Sequence, residues 1–111
     1  MNAKEYSIDV AIKQNGVQVP AGVRLLIKDM QVRPNRRGDS WIVTGCVQSY
    51  SDGTYANHID NDIFPGDRYE HDLNTTTYPS TGAKTLIKNA INAALDAHPD
   101  VGSGNYTEDP A

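Results

Sequence analysis

The chain has 111 residues, with ten Lys and Arg against fourteen Asp and Glu, a formal net charge of −4 and a pI near 5.1. That length holds one core and leaves no room for a catalytic domain beside a separate substrate domain, while the acidic balance excludes bulk attraction to nucleic acid or anionic lipid. The 38% hydrophobic share marks a folding chain, and the single Cys46 excludes an intramolecular disulfide.

The elements follow in chain order. The opening MNAKEYSIDV carries no apolar run of signal length, and no later stretch approaches the roughly 18 apolar residues of a membrane span, so a soluble protein is expected. Tyr6, Ile8, Val10 and Ile12 alternate with Ser7, Asp9 and Lys13, the period of a half-buried strand. Asn15-Gly16 predicts a type I′ turn that brings Val17 to Val19 back along this strand until Pro20. In VRLLIKDMQVR the apolar positions Val23, Leu25 and Ile27 give way to Met30 and Val32, and this change of parity near Lys28 and Asp29 predicts a bulge.

After the polar loop PNRRGDS comes WIVTGCVQSY, apolar on both faces and therefore expected to be central, with Cys46 an inert buried thiol inside it. Asp52-Gly53 predicts a two-residue hairpin, and Pro65-Gly66 predicts a second turn, giving a meander in which residues 54–64 and 67–73 fold back in succession. Leu86, Ile87, Ala90, Ile91, Ala94 and Leu95 then draw one apolar stripe of a helix. Ser80 or Thr81 is the expected N-cap, and Pro99 the stop. Residues 98–111 lack periodicity and apolar content and read as a flexible tail. The fold class is therefore α+β: a single globular domain over 1–97, an antiparallel meander or small sandwich with one C-terminal amphipathic helix packed on a sheet face.

NHIDNDIFPGDRYEHD sets two histidines among several carboxylates. With tight turns at Asp52-Gly53 and Pro65-Gly66, His58, Asp60 and His71 share one face above Gly45, a set of ligand types suited to Fe(II) or Zn(II). A turn longer or shorter by one residue sends His71 to the opposite face. The EF-hand template fails at Phe64, where a third ligand is needed, and STGAKT lacks the spacing of a phosphate loop. Arg33, Arg36 and Arg37 form the one basic cluster, fit to grip an acidic partner patch or to serve as half of a self-complementary contact. Arg37-Gly38-Asp39 resembles the integrin-attachment tripeptide and is equally ordinary turn chemistry. Tyr50 and Tyr55 face each other across a hairpin, where tyrosine suits a protein interface.

With no complete catalytic set, the expectation is a non-enzymatic structural or interaction protein. It needs no cofactor or small-molecule substrate, and it works through a protein partner or self-association. The order of a β-meander, one late amphipathic helix and a small polar tail over residues 4–97 resembles small accessory proteins of bacteriophage virions, such as tail or head-tail components. That resemblance implies docking onto a larger particle, in a cytoplasmic or virion-associated setting. Two alternatives stand beside it: a metal-binding module or metal-dependent enzyme using His58, Asp60 and His71, and a small inhibitor of a host protein.

Overall fold

The computed structural model describes residues 4–14, 16–59 and 63–109. In chain order the elements are β1 (Lys4–Ile8), β2 (Ile12–Gln14), β3 (Val17–Val19), β4 (Val23–Pro34), β5 (Trp41–Tyr50), β6 (His58–Ile59), a 3-10 turn at Pro65–Asp67, β7 (Arg68–Asp72), α1 (Ala83–Ala97) and β8 (Tyr106–Asp109). The main sheet is antiparallel, with β5, β4, β1 and β8 side by side and both β6 and β7 on the free side of β5. β2 and β3 form a separate hairpin in which Gln14 pairs with Val17; Asn15, where the turn was expected, lies outside the described residues. Among the described residues no helix is long and apolar enough to cross a membrane.

Directly opposed residues of an antiparallel pair share a face. The registers Tyr6↔Leu25, Ile8↔Val23, Ile27↔Val47 and Val32↔Val43 therefore gather these side chains on one side of the sheet. Ile87, Ala90, Ile91 and Leu95 of α1 are buried with them, so the predicted stripe is the face that closes the core. Each large side chain taken from water there contributes about 1.5–3 kcal/mol. The bulge falls where the parity slip placed it: Lys28 pairs with Cys46 and Gln31 with Thr44, which leaves Asp29 and Met30 opposite Gly45. Asp29 takes a positive φ of 56°, and the extra residue lets Met30 and Val32 continue the face begun by Val23, Leu25 and Ile27. A Cβ on Gly45 would lie 3.2 Å from Ile27 Cγ2 and 3.5 Å from Ile87 Cγ1, so the helix comes down onto the sheet at the residue with no side chain.

Three strands are also tied to the helix backbone by phenols. Tyr6 of β1 donates to the Lys88 carbonyl at 3.4 Å, Tyr69 of β7 to Ala90 at 3.5 Å, and Tyr106 of β8 to Asn92 at 3.3 Å.

The structure corrects several expectations. The alternating first segment is split: β1 joins the main sheet, whereas Ile12 belongs to the small hairpin, because the Asp9 N–H bonds to the Asn105 carbonyl and the chain turns there. The turn after β5 is not two residues long. Ser51 N–H bonds to the Asn57 carbonyl and Tyr50 pairs with His58, since the Asp52 carboxylate captures the Thr54 N–H (2.9 Å) and hydroxyl (2.5 Å) and wraps the chain into a wider loop. Nor do two strands follow one another outward as a meander. β6 pairs with residues 49–50 of β5 and β7 with residues 42–46, so the return is one interrupted pass along a single edge.

Two corrections concern the C-terminal part. Helix α1 begins after Gly82, which is extended and offers no side-chain cap, in place of the expected Ser80 or Thr81; its end, with His98 as C-cap, sits just before Pro99 as predicted. Residues 98–109 are no free tail. Val101 is buried, Tyr106 packs on Tyr6 with ring centroids 6.0 Å apart, and β8 adds an edge strand to β1.

Candidate functional site

The expected metal set does not assemble. His58 lies opposite Tyr50, on the sheet face away from the helix, and His71 lies opposite Val43, on the helix side. Those two partners are seven strand steps apart along β5, a distance of about 23 Å at strand rise. The wider loop after β5 is one physical cause, since it moves the β6 pairing by three residues and so turns His58 to the other face; β7, pairing with β5 directly, keeps His71 on the expected face but far along the strand. Asp60 lies outside the described residues. His58 Nε2 instead approaches Asp67 Oδ2 at 3.4 Å, and among the described residues no three His, Cys, Asp or Glu groups converge to hold a metal.

The five residues expected to meet a partner lie on one face of the sheet, in two groups at its opposite ends. α1 covers one side of the sheet, and the other side is open. Its strand positions include Glu5, Arg24, Leu26, Lys28, Arg33, Ile42, Thr44, Cys46, Tyr50, Arg68, Glu70 and Asp72. Cys46 is half-exposed on this side, in contrast to the buried thiol expected, because even positions of β5 point away from the helix.

At one end of the open face, Arg33, Arg36 and Arg37 line a groove of about 430 Å³ together with Pro34, Ile42, Glu70 and Asp72. Arg33 approaches Glu70 at 3.9 Å and Arg37 approaches Asp39 at 3.4 Å; among the described residues Arg36 has no carboxylate partner. Asn35 holds this loop by donating to Asp39 Oδ1 at 2.7 Å and accepting the Asp39 N–H at 3.1 Å, with Gly38 at a φ of 75°. The Arg37-Gly38-Asp39 tripeptide is thus folded onto itself through its own ion pair. Asp72 accepts from the Asn74 N–H at 2.7 Å and the Ser40 hydroxyl at 2.9 Å, and these bonds, the backbone one first, hold its carboxyl below the usual carboxylate range.

At the other end, the Tyr50 ring meets the Tyr55 ring edge-on at 5.2 Å and the His58 ring at 5.6 Å. Tyr55, at a φ of 59°, folds down from the loop so that its phenol donates to Glu5, whose second oxygen lies 3.2 Å from Arg24 Nη1. The Glu5 hydrogen bond, ahead of burial, raises the Tyr55 phenol above its ordinary pKa. Between the two ends, a shallow depression of about 580 Å³ runs past Thr44, Cys46 and the bulge at Asp29–Gln31 to Asp67 and Arg68.

Sequence reading missed the charges of β7. Arg68, Glu70 and Asp72 alternate in Arg-Tyr-Glu-His-Asp and stand together on the open side, with Arg68 Nε 3.4 Å from Glu70. The period-2 pattern carried that signal, and the histidines within the same stretch drew the reading toward metal ligation. In comparisons with protein-family models, curated proteins and solved structures, the chain matches none.

Proposed function

We propose that this is a non-enzymatic interaction protein that serves as a subunit of a larger assembly and docks through the open face of its sheet. One observation carries the reading. Arg33, Arg36 and Arg37 at one end and Tyr50 and Tyr55 at the other, drawn from two separate loops and two strands, all lie on the one sheet face that α1 leaves bare. An antiparallel sheet tolerates water on one face, but this face carries an arginine groove at one end and a tyrosine pair at the other. Those are the residue types that supply most of the energy where proteins meet. The particle we have in mind is of the virion kind, a reading that keeps only the antiparallel sheet and late helix of the resemblance, since among the described residues the meander and the tail are not present, with the protein soluble until it docks.

The test is the mass of the purified chain by light scattering from micromolar to near-millimolar concentration, with Arg36→Glu and Tyr55→Ala beside it. A mass rising above 12.1 kDa, and lowered by either substitution, supports the reading. A strict monomer over the whole range that also recovers no partner overturns it.

A further inference from the structure

Strand β7 is an open edge: among the described residues it pairs with β5 alone. The Leu73 N–H bonds to the Trp41 carbonyl, in step with the β5–β7 register. By the alternation of an antiparallel ladder, Tyr69 and His71 direct their N–H and C=O groups toward β5, while Arg68, Glu70 and Asp72 direct theirs outward. Glu70 and Asp72 are therefore free to bond a further strand, as is the Arg68 carbonyl, while the Arg68 N–H closes the Pro65–Asp67 turn; these are the same three residues that carry the alternating charges on the open face.

An edge of this kind is self-complementary. Laid antiparallel against a copy of itself about a two-fold axis at Glu70, outward groups meet outward groups over the whole strand. Arg68 then stands opposite Asp72 of the second copy, twice over. Tyr69 stands opposite His71 of the second copy, on the helix side. The one like-charge meeting is Glu70 with its mate, and each Glu70 already has Arg68 at 3.4 Å and Arg33 at 3.9 Å within its own chain. The other edge offers no such match, because the sequence of β8, Tyr-Thr-Glu-Asp, holds no positive residue to set against an acidic one.

On this ground, and resting on the reading of the chain as an assembly subunit, we propose that β7 binds a second copy of this chain by two-fold strand pairing centred on Glu70. Paired residues of a ladder share a face, so the dimer has both helices on one side and the two open faces joined on the other. A five-residue strand pair is small beside the roughly 1,200–2,000 Å² of standard interfaces. The dimer is accordingly weak, and it loosens with salt, because the pairs that set its register are exposed charges.

Sedimentation equilibrium of the full chain at low salt, across concentration, tests the pairing with charge reversals. Arg68→Asp weakens association about 30-fold, and Asp72→Arg does the same, since each turns two attractive cross-strand pairs into repulsive ones. The combined Arg68→Asp, Asp72→Arg chain rebuilds both pairs with the signs exchanged and recovers wild-type association to within about threefold. Because Asp72 also accepts from Ser40 and Asn74, a second measurement leaves the sequence untouched. Amide hydrogen exchange at Glu70 and Asp72 slows as wild-type concentration rises, while Tyr69 and His71, already bonded to β5, exchange unchanged. Exchange at those two amides that ignores concentration, or a double reversal as weak as the single ones, overturns the β7 contact. If the chain still associates, the subunit reading survives that result; a strict monomer with no partner removes both.

Discussion

The sheet ends in two edges that deal with the same exposed backbone in different ways. β8 is short, acidic and bound to the body: Tyr106 donates to Asp96 at 2.6 Å and to the Asn92 carbonyl, and Lys4 and Lys88 both reach Glu108. β7 alternates positive, neutral and negative residues and is held to the helix by Tyr69, with Phe64 edge-on to its ring at 5.3 Å. The lesson is that charge by itself does not close an edge to strand pairing. A run of one sign repels its own copy, whereas an alternating run about a central residue fits it.

The largest effect that can break this comparison is expected at Tyr106. Tyr106→Ala removes the packing on Tyr6 and both hydroxyl contacts to α1, and should cost about 2–3 kcal/mol, lowering Tm by roughly 10 °C or more. Tyr69→Ala, at the other edge, should cost about 1–2 kcal/mol, since that side chain is also partly buried but touches the helix through one long bond. Thermal melts of both variants decide the point. A Tyr106→Ala melt equal to wild type would return residues 98–109 to the status of a tail and leave the sheet with β1 as its edge.

A smaller effect follows alkaline pH. Burial first, then the Asp96 acceptor, push the Tyr106 phenol up to about 12 from 10.0, and burial followed by the charge of Glu108 raises Tyr6 as well. A group that holds its proton more tightly in the folded state contributes in full below the unfolded pKa and loses that contribution as pH rises through the folded one. Urea melts should therefore show stability intact below pH 10 and falling between about 10 and 12. Tyr106→Phe should flatten part of that fall. Tyr69→Phe should flatten it less, since burial alone raises Tyr69. Equal slopes in the two variants would erase the difference in how the edges are anchored.

The fold was legible where periodicity stood alone. The stripe Ile87, Ala90, Ile91 and Leu95 and the parity slip between Ile27 and Met30 each pointed to a single structure, because one face had to be apolar. Turn chemistry misled. Asp52-Gly53 has the composition of a two-residue turn, but the Asp52 carboxylate bonded Thr54 in place of closing the ladder, and the register of the whole return shifted with it. The tail was misread for another reason: in VGSGNYTED two residues, Val101 and Tyr106, do the packing, and neither falls on a period. The partner residues were read one at a time as arginine cluster and tyrosine pair. That both groups share one face depended on a register that local sequence does not encode, since Arg33 and Tyr50 lie at opposite ends of adjacent strands.

The smallest expected effect is also the sharpest for the comparison, because one chemical change is made at both edges. Glu70→Gln removes the like-charge pair on the proposed axis and frees Arg68 from its own chain, so association should tighten about threefold, near 0.6 kcal/mol, with little change in the melt. Glu108→Gln removes the partner of Lys4 and Lys88, which should lower stability by about 0.5 kcal/mol, the usual worth of pairs near the surface. It should leave the sedimenting mass alone, because β8 still has no positive residue with which a second β8 could pair. If Glu108→Gln raised the mass while Glu70→Gln did not, repulsion at β8 and not attraction at β7 would be what governs self-association, and the two edges would have to exchange roles.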